Sequence, residues 1–123
     1  MATKADFWGE IAAPEIRTPV SILREQASLL GTKTQNLVEA SVETDVHGDG
    51  EFVHTFRLVV PALDNYAYKL FQVSHSVSLY PVRVFPEKHT LDTEQDFIAW
   101  LRQTLSSNAT KKLIGNLIAQ VRS

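Results

Sequence analysis

Apolar and polar residues alternate with a period of two across most of the stretch from residue 36 to residue 86. Successive side chains of a β-strand point to opposite faces of a sheet, so this alternation indicates half-buried strands. It recurs in segments 37–46, 52–60, 66–79 and 80–86. Glycines within 47–50, and aspartate and asparagine within 62–65, supply turn residues between segments. We therefore expect an antiparallel sheet of three to four strands, with the rest of the chain packed against it.

The third and fourth segments carry signs of irregularity. Segment 66–79 is long for a strand, which predicts a bend or bulge within it. Segment 80–86 has Pro81 near its start and Pro86 at its end. Because proline has no amide hydrogen to donate, we interpret this segment as an edge strand, or as a continuation of the third strand around a corner.

Helical periodicity flanks the sheet on both sides. Thr18 and Pro19 are favoured at the start of a helix, and Gly31 is favoured at its end, which predicts a helix of about 12 residues. A second helix is expected after an N-cap at Asp92 or Thr93, and a last helix over residues 109–121. The predicted order is helix-β-β-β-(β)-helix-helix. We expect a single α+β domain over residues 1–123, a two-layer sandwich with the helices packed on one face of the sheet.

The sheet face away from the helices is expected to be exposed. Its predicted members are mostly polar: Glu39, Ser41, Glu43, Arg57, Lys69, Gln72, Ser74 and Ser76. Val53, Val59 and Leu70 interrupt this polar face. A solvated face with cross-strand charge pairs is one interpretation, and a surface for self-association or for a partner is the other.

Composition excludes several classes of protein. The 123 residues include no cysteine, so disulfide frameworks, thiolate metal sites and cysteine nucleophiles are impossible. The formal net charge is −2 and no basic stripe is present, so nucleic-acid binding is not expected. No segment approaches the roughly 20 apolar residues of a membrane span, and the amino terminus lacks the core of a signal peptide. We expect a soluble, cytoplasmic protein that uses no cofactor.

Two histidines are the main candidates for chemistry. His54 and His75 are predicted to lie on the inner face of neighbouring strands, opposite one another if the intervening turn is centred between Asp64 and Asn65. Two adjacent imidazoles could bind a metal or share a proton. No third ligand is evident from spacing, and histidines at the edge of the core with ordinary hydrogen bonds are the alternative.

Other chemical motifs are weak or missing. Asp45, His47 and Asp49 alternate around the first hairpin, but turn preferences explain them as well as metal binding does. The sequence contains no glycine-rich phosphate loop, no Gly-x-Ser-x-Gly elbow and no His-Glu-x-x-His helix. We therefore predict no metal site and no catalytic residues.

The leading functional hypothesis is a non-enzymatic interaction or accessory protein that binds a protein partner or itself. A homodimer is expected, through the strand edge at 82–85 or the apolar last helix. The alternative is a small-ligand-binding domain or enzyme with a pocket between the helices and a bent sheet. That pocket would be lined by Trp8, His54, Phe71, His75 and Trp100.

The amino-terminal region contains a small apolar cluster. Phe7, Trp8 and Ile11 precede Pro14 and could form a short helical turn. We expect this cluster to act as a lid that closes one end of the core.

Overall fold

One layer of the fold is a five-stranded antiparallel sheet in the order β1-β2-β3-β4-β5. The computed structural model describes residues 5–123. The strands are β1 (Glu39–Val46), β2 (Phe52–Val60), β3 (Tyr66–His75), β4 (Val82–Phe85) and β5 (His89–Leu91). The predicted α+β class is confirmed, but the sheet has five strands rather than three to four.

Three helices form the other layer. They are α1 (Pro19–Lys33), α2 (Glu94–Leu105) and α3 (Asn108–Val121). Side chains from all three helices join the inner face of the sheet in one hydrophobic core. Its buried members are Ile22, Leu23, Ala27, Val38, Phe56, Leu58, Val60, Phe71, Val73, Val82, Val84, Phe97, Leu101 and Leu117.

The β2–β3 hairpin contains the predicted irregularity. Phe56 pairs with Phe71 but Arg57 pairs with Lys69, so Leu70 is an extra residue in the ladder. A bulge of this kind turns the following side chains relative to the partner strand. Leu70 consequently faces the helices, and its predicted place on the outer face is wrong.

The third strand ends earlier than predicted. The ladder stops at His75, and residues 76–79 form a turn in which the Leu79 amide donates to the Ser76 carbonyl at 3.1 Å. Leu79 has a φ of 75°, outside the range of a strand. Val77 lies in this turn and is 81% exposed.

Segment 80–86 is not an edge. Val82–Phe85 forms β4, which pairs with β3 on one side and with β5 on the other. Only three residues make up β5, too few to show an alternation in the sequence. The strand edge on which a homodimer was predicted is therefore already occupied within the chain.

The helix boundaries follow their caps. The Thr18 hydroxyl accepts the Ser21 amide at 3.2 Å, so α1 begins where the sequence predicts. It continues through Gly31 to Lys33, for a length of 15 residues, and the left-handed residues that follow are Gln35 and Asn36. Gly31 is therefore not the terminal cap.

The two later helices also have hydroxyl caps. Thr93, rather than Asp92, caps α2 by accepting the Asp96 amide at 3.1 Å. Ser107 caps α3, which begins at Asn108, one residue before the predicted start. Each cap satisfies an amide that has no partner inside its helix.

The outer face of the sheet is polar, but part of it is packed. Glu43 and Arg57 form a cross-strand ion pair at 3.5 Å, and Gln72 Nε2 donates to Thr55 Oγ1 at 2.9 Å. Ser74, predicted to be exposed, is buried because it lies between Val53 on β2 and Arg83 on β4. Larger neighbours on both sides cover a small side chain in the middle of a sheet.

Candidate functional site

His54 and His75 meet inside the protein. Their Nε2 atoms are 2.8 Å apart, and the side chains are 2% and 5% exposed. The strand register pairs His54 with Val73 and His75 with Phe52, so the two histidines are diagonal neighbours rather than directly opposite. Rings are long enough to bridge this diagonal, and their centroids are 4.9 Å apart.

Their outer nitrogens are also hydrogen-bonded. His75 Nδ1 lies 2.7 Å from the Ser76 carbonyl oxygen, which can only accept, so Nδ1 carries the proton. In a neutral ring His75 Nε2 is then the acceptor, and His54 Nε2 donates to it. His54 Nδ1 is left to accept from the Thr44 hydroxyl, 2.8 Å away. The four groups form one hydrogen-bonded chain from Thr44 to Ser76 in which every ring nitrogen has a partner.

The surroundings of this chain disfavour charge on His54. Burial, together with the electrostatic influence of His75 and Arg24, lowers the pKa of His54 to about 4. If both rings were charged, with protons on both nitrogens of each, two Nε2–H groups would face one another across 2.8 Å. His54 is consequently neutral near pH 7.

The histidine pair lacks the surroundings of a metal site. Across residues 5–123 no group of three histidine, aspartate or glutamate side chains comes close enough to hold an ion. The Asp45, His47 and Asp49 turn is included in that statement. The pair therefore has the chemistry of a satisfied polar contact within the core.

The aromatic residues of the predicted pocket do not surround the histidines as one cavity. Phe71 stacks on Phe56 at 5.0 Å and meets the edge of Trp100 at 4.9 Å, a contact between the sheet and α2. The Trp100 indole N–H donates to Glu87 at 3.4 Å. Trp8 lies elsewhere and is 81% exposed.

A different cavity lies between the helices and the sheet. It has a volume of about 610 Å³, and we call it the groove. Phe56, Leu58 and Leu70 contribute its floor from β2 and β3. Its walls come from the three helices: Ile22, Leu29 and Leu30 of α1, Ile98, Leu101 and Leu105 of α2, and Ile114 of α3.

Charged residues line the rim of the groove. Arg17, Lys33, Arg102 and Lys111 are cationic, whereas Glu25 is anionic and forms an ion pair with Arg17. In the part of the chain that the structure describes, Lys33, Arg102 and Lys111 make no salt bridge. The groove thus combines an apolar interior with a rim whose net charge is positive.

The sequence contained a partial signal for this groove. Leu29 widens the apolar stripe of α1 beyond what the core covers, and it is 47% exposed at the groove. Leu70 reaches the groove only because of the bulge, which the alternation pattern does not reveal. The size of the gap depends on how the helices sit on the sheet, and no local pattern reports that distance.

The amino-terminal residues do not close the core. Phe7, Trp8 and Ile11 are 94%, 81% and 76% exposed, so the predicted lid is wrong. Residues 5–16, which we call the arm, contain no helix or strand. The hydrophobic core forms from the sheet and the three helices without these residues, and the arm is left outside.

Arg17, which we call the root of the arm, fixes the arm to the domain. The Arg17 amide donates to Glu94 Oε1 at 2.6 Å, its carbonyl accepts from the Tyr80 hydroxyl at 2.8 Å, and its guanidinium binds Glu25. Burial raises the pKa of Tyr80 to about 12, with the Glu94 carboxylate adding to the shift, so this hydroxyl remains a donor. The arm therefore leaves the domain from a defined point on the rim of the groove.

Comparison of the chain with protein-family models, with curated proteins and with solved structures finds no match. None of the helices described within residues 5–123 has the length and apolar character needed to cross a membrane.

Proposed function

We propose that this chain is a non-enzymatic interaction protein whose groove binds an apolar, acidic segment of a protein. One observation carries the proposal. The groove presents Leu29, which is 47% exposed, beside the half-buried Leu70, Ile98 and Leu105, and within residues 5–123 three cations on its rim form no ion pair.

The physical argument has an apolar part and an electrostatic part. Covering apolar surface yields about 25 cal/mol per Å² removed from water, and a few buried anchors usually dominate the affinity of such an interface. Lys33, Arg102 and Lys111 would favour carboxylates beside those anchors and would reject a basic segment.

The polar side chains of the groove support binding rather than catalysis. The Ser106 hydroxyl donates to the Arg102 carbonyl, and the Thr110 hydroxyl donates to the Thr104 carbonyl at 2.8 Å. Glu25 is occupied by Arg17. No nucleophile among these groups has a histidine or carboxylate positioned to accept its proton.

Selection from a peptide-display library tests this function. We expect the enriched peptides to combine large apolar residues with aspartate or glutamate, and to lose binding to a Leu29→Glu variant. Leu29 is 47% exposed, so the added carboxylate repels acidic peptides at the groove without entering the core. Enrichment of basic peptides, or equal binding to both proteins, would contradict the proposal.

A small ligand is the second candidate for the same groove. Its volume of about 610 Å³ lies within the range of small-molecule sites, roughly 300–1,000 Å³. The apolar interior and cationic rim would suit a molecule with an apolar body and an anionic end. Native mass spectrometry should then show extra mass that disappears on denaturation and is missing from Leu29→Glu.

A further inference from the structure

We propose that the segment bound by the groove is the arm of a second copy of this chain, so that two copies exchange arms. This inference rests on the proposed function and names the partner. It is argued from the exposure of the arm, its charge and the position of its root.

The arm offers the apolar side chains that such a groove requires. Phe7, Trp8 and Ile11 lie within five residues of sequence and are the three most exposed of its large apolar side chains, at 94%, 81% and 76%. Leaving an aromatic pair in water is unfavourable, and burying it would fill apolar space that the domain leaves open.

Charge complementarity favours the same pairing. The arm carries Asp6, Glu10 and Glu15 and has no basic residue between positions 5 and 16. The rim of the groove presents Lys33, Arg102 and Lys111. Three acids would therefore meet three cations, with Trp8 and Ile11 interleaved among the acids.

The root of the arm explains why a second copy is the occupant. Arg17 is held by Glu94, Tyr80 and Glu25, so the arm starts from a fixed point on the rim. None of residues 5–16 lines the groove of its own chain. Pro14 disfavours helical backbone at the residue before it, which keeps that part of the arm extended. A neighbouring copy can instead present its arm from outside.

Reciprocal exchange closes the assembly. In a twofold dimer each copy gives one arm and receives one, so no groove and no arm is left without a partner. Aromatic side chains bury about 150–250 Å² each, and the four from two arms would supply about 600–1,000 Å² before the groove surfaces are counted. The total reaches the range of a specific interface, about 1,200–2,000 Å².

The fluorescence of Trp8 tests the inference directly. The chain has two tryptophans, and a Trp100→Phe variant makes Trp8 the single reporter while keeping an aromatic ring against Phe71. We expect its emission to shift to shorter wavelength as the protein concentration rises. Blue-shifted emission at concentrations where sedimentation shows a monomer would place the arm in its own groove, and emission that stays solvent-like would mean that no groove takes it. Either result overturns the inference.

Sedimentation of full-length variants gives a second measurement that does not depend on Trp100. Phe7→Ala/Trp8→Ala and Leu29→Glu should each weaken the dimer by about 30-fold or more, the effect expected for loss of an interface anchor. Val77→Glu is the matched control, because Val77 is 81% exposed in the turn after β3 and is outside the groove. An unchanged dimer in either test variant would overturn the inference.

Mixing the two variants tests the roles of the arm and the groove separately. Phe7→Ala/Trp8→Ala keeps an intact groove and Leu29→Glu keeps an intact arm, so together they should form a heterodimer joined by one arm. No heterodimer, with both variants folded, would contradict arm exchange.

Failure of arm exchange can be distinguished from failure of the proposed function. If the wild-type chain stays monomeric but the groove selects acidic apolar peptides, the groove function stands and the second copy is not its partner. If the chain dimerises and Leu29→Glu has no effect on the dimer, arm exchange fails whatever the peptides show.

Discussion

His54 and His75 share a hydrogen bond of 2.8 Å between their Nε2 atoms although neither is the strand partner of the other. The contact crosses the diagonal between β2 and β3, and Thr44 and Ser76 complete it at the two ends. Because every ring nitrogen is satisfied, the pair acts as a polar contact that specifies how the two strands pack.

The free energy of unfolding should fall as the pH is lowered from 6.5 to about 4. The folded-state pKa of His54 lies below its unfolded value, so the unfolded chain binds the proton first and is favoured in that interval. The loss from this group is about 3 kcal/mol when the interval has been crossed. Urea unfolding near neutral pH and near pH 4 measures it.

A control variant isolates this contribution from that of the carboxylates. His54→Phe removes the titrating ring but keeps an aromatic side chain of similar shape. Its stability should depend less on pH than that of the wild type over the same interval. An equal dependence in both proteins would show that His54 does not carry the effect.

Removing one histidine should lower the free energy of unfolding by more than half of the loss caused by removing both. His75→Ala leaves His54 Nε2 buried without a partner, a penalty of about 1–3 kcal/mol beyond the cavity. In His54→Ala/His75→Ala no unpaired imidazole remains. A double-mutant cycle should therefore give a coupling energy of about 1 kcal/mol or more, whereas additive effects would mean that the hydrogen bond is not made.

Substitutions at buried and at exposed positions of the groove should differ in their effect on stability. Leu101→Ala, at a buried position of its wall, should lower the free energy of unfolding by about 2–5 kcal/mol because it leaves a cavity. Leu29→Ala should change stability by less than about 0.5 kcal/mol, because its side chain is already half in water. Thermal unfolding measures both, and a large loss for Leu29→Ala would mean that its side chain is packed rather than available to a partner.

Reversing the charges on the rim should slow association. Lys33→Glu and Arg102→Glu are expected to weaken binding of a peptide of residues 5–16, mainly through the association rate, and added salt should reduce the difference. Lys69→Glu on the outer sheet face is the matched control and should bind like the wild type. Equal salt dependence in all three variants would exclude a role for the rim cations.

Much of the fold is predictable from the sequence because strand alternation and helix capping depend on residues that are close together in the chain. The alternation over Phe52–Val60 predicts β2 to the residue, and Thr18 with Pro19 predicts the start of α1, since strand period and helix caps are set by neighbouring residues. The three residues of β5 are too few to express a period, and their pairing with β4 is a tertiary choice.

The candidate site is less predictable because it depends on distances between elements. The sequence predicts the histidine pair from a register that differs from the observed one by two residues, and the contact is still made because imidazole rings reach across the diagonal. The groove is lined by none of the five residues named for the small-ligand hypothesis. Trp8 is 81% exposed, and Leu70 reaches the floor of the groove only through the bulge.

Chemical-shift mapping tests the central claim, that the groove is a binding site for an acidic apolar segment. The peptide of residues 5–16 would be titrated into isotope-labelled Phe7→Ala/Trp8→Ala protein, whose own arm cannot compete. The account predicts saturable shifts for groove residues such as Leu29, Ile98 and Leu105, no shifts on the outer face around Thr55, and loss of the effect in a protein that also carries Leu29→Glu. Shifts confined to the outer face, or none at peptide excess, would contradict it.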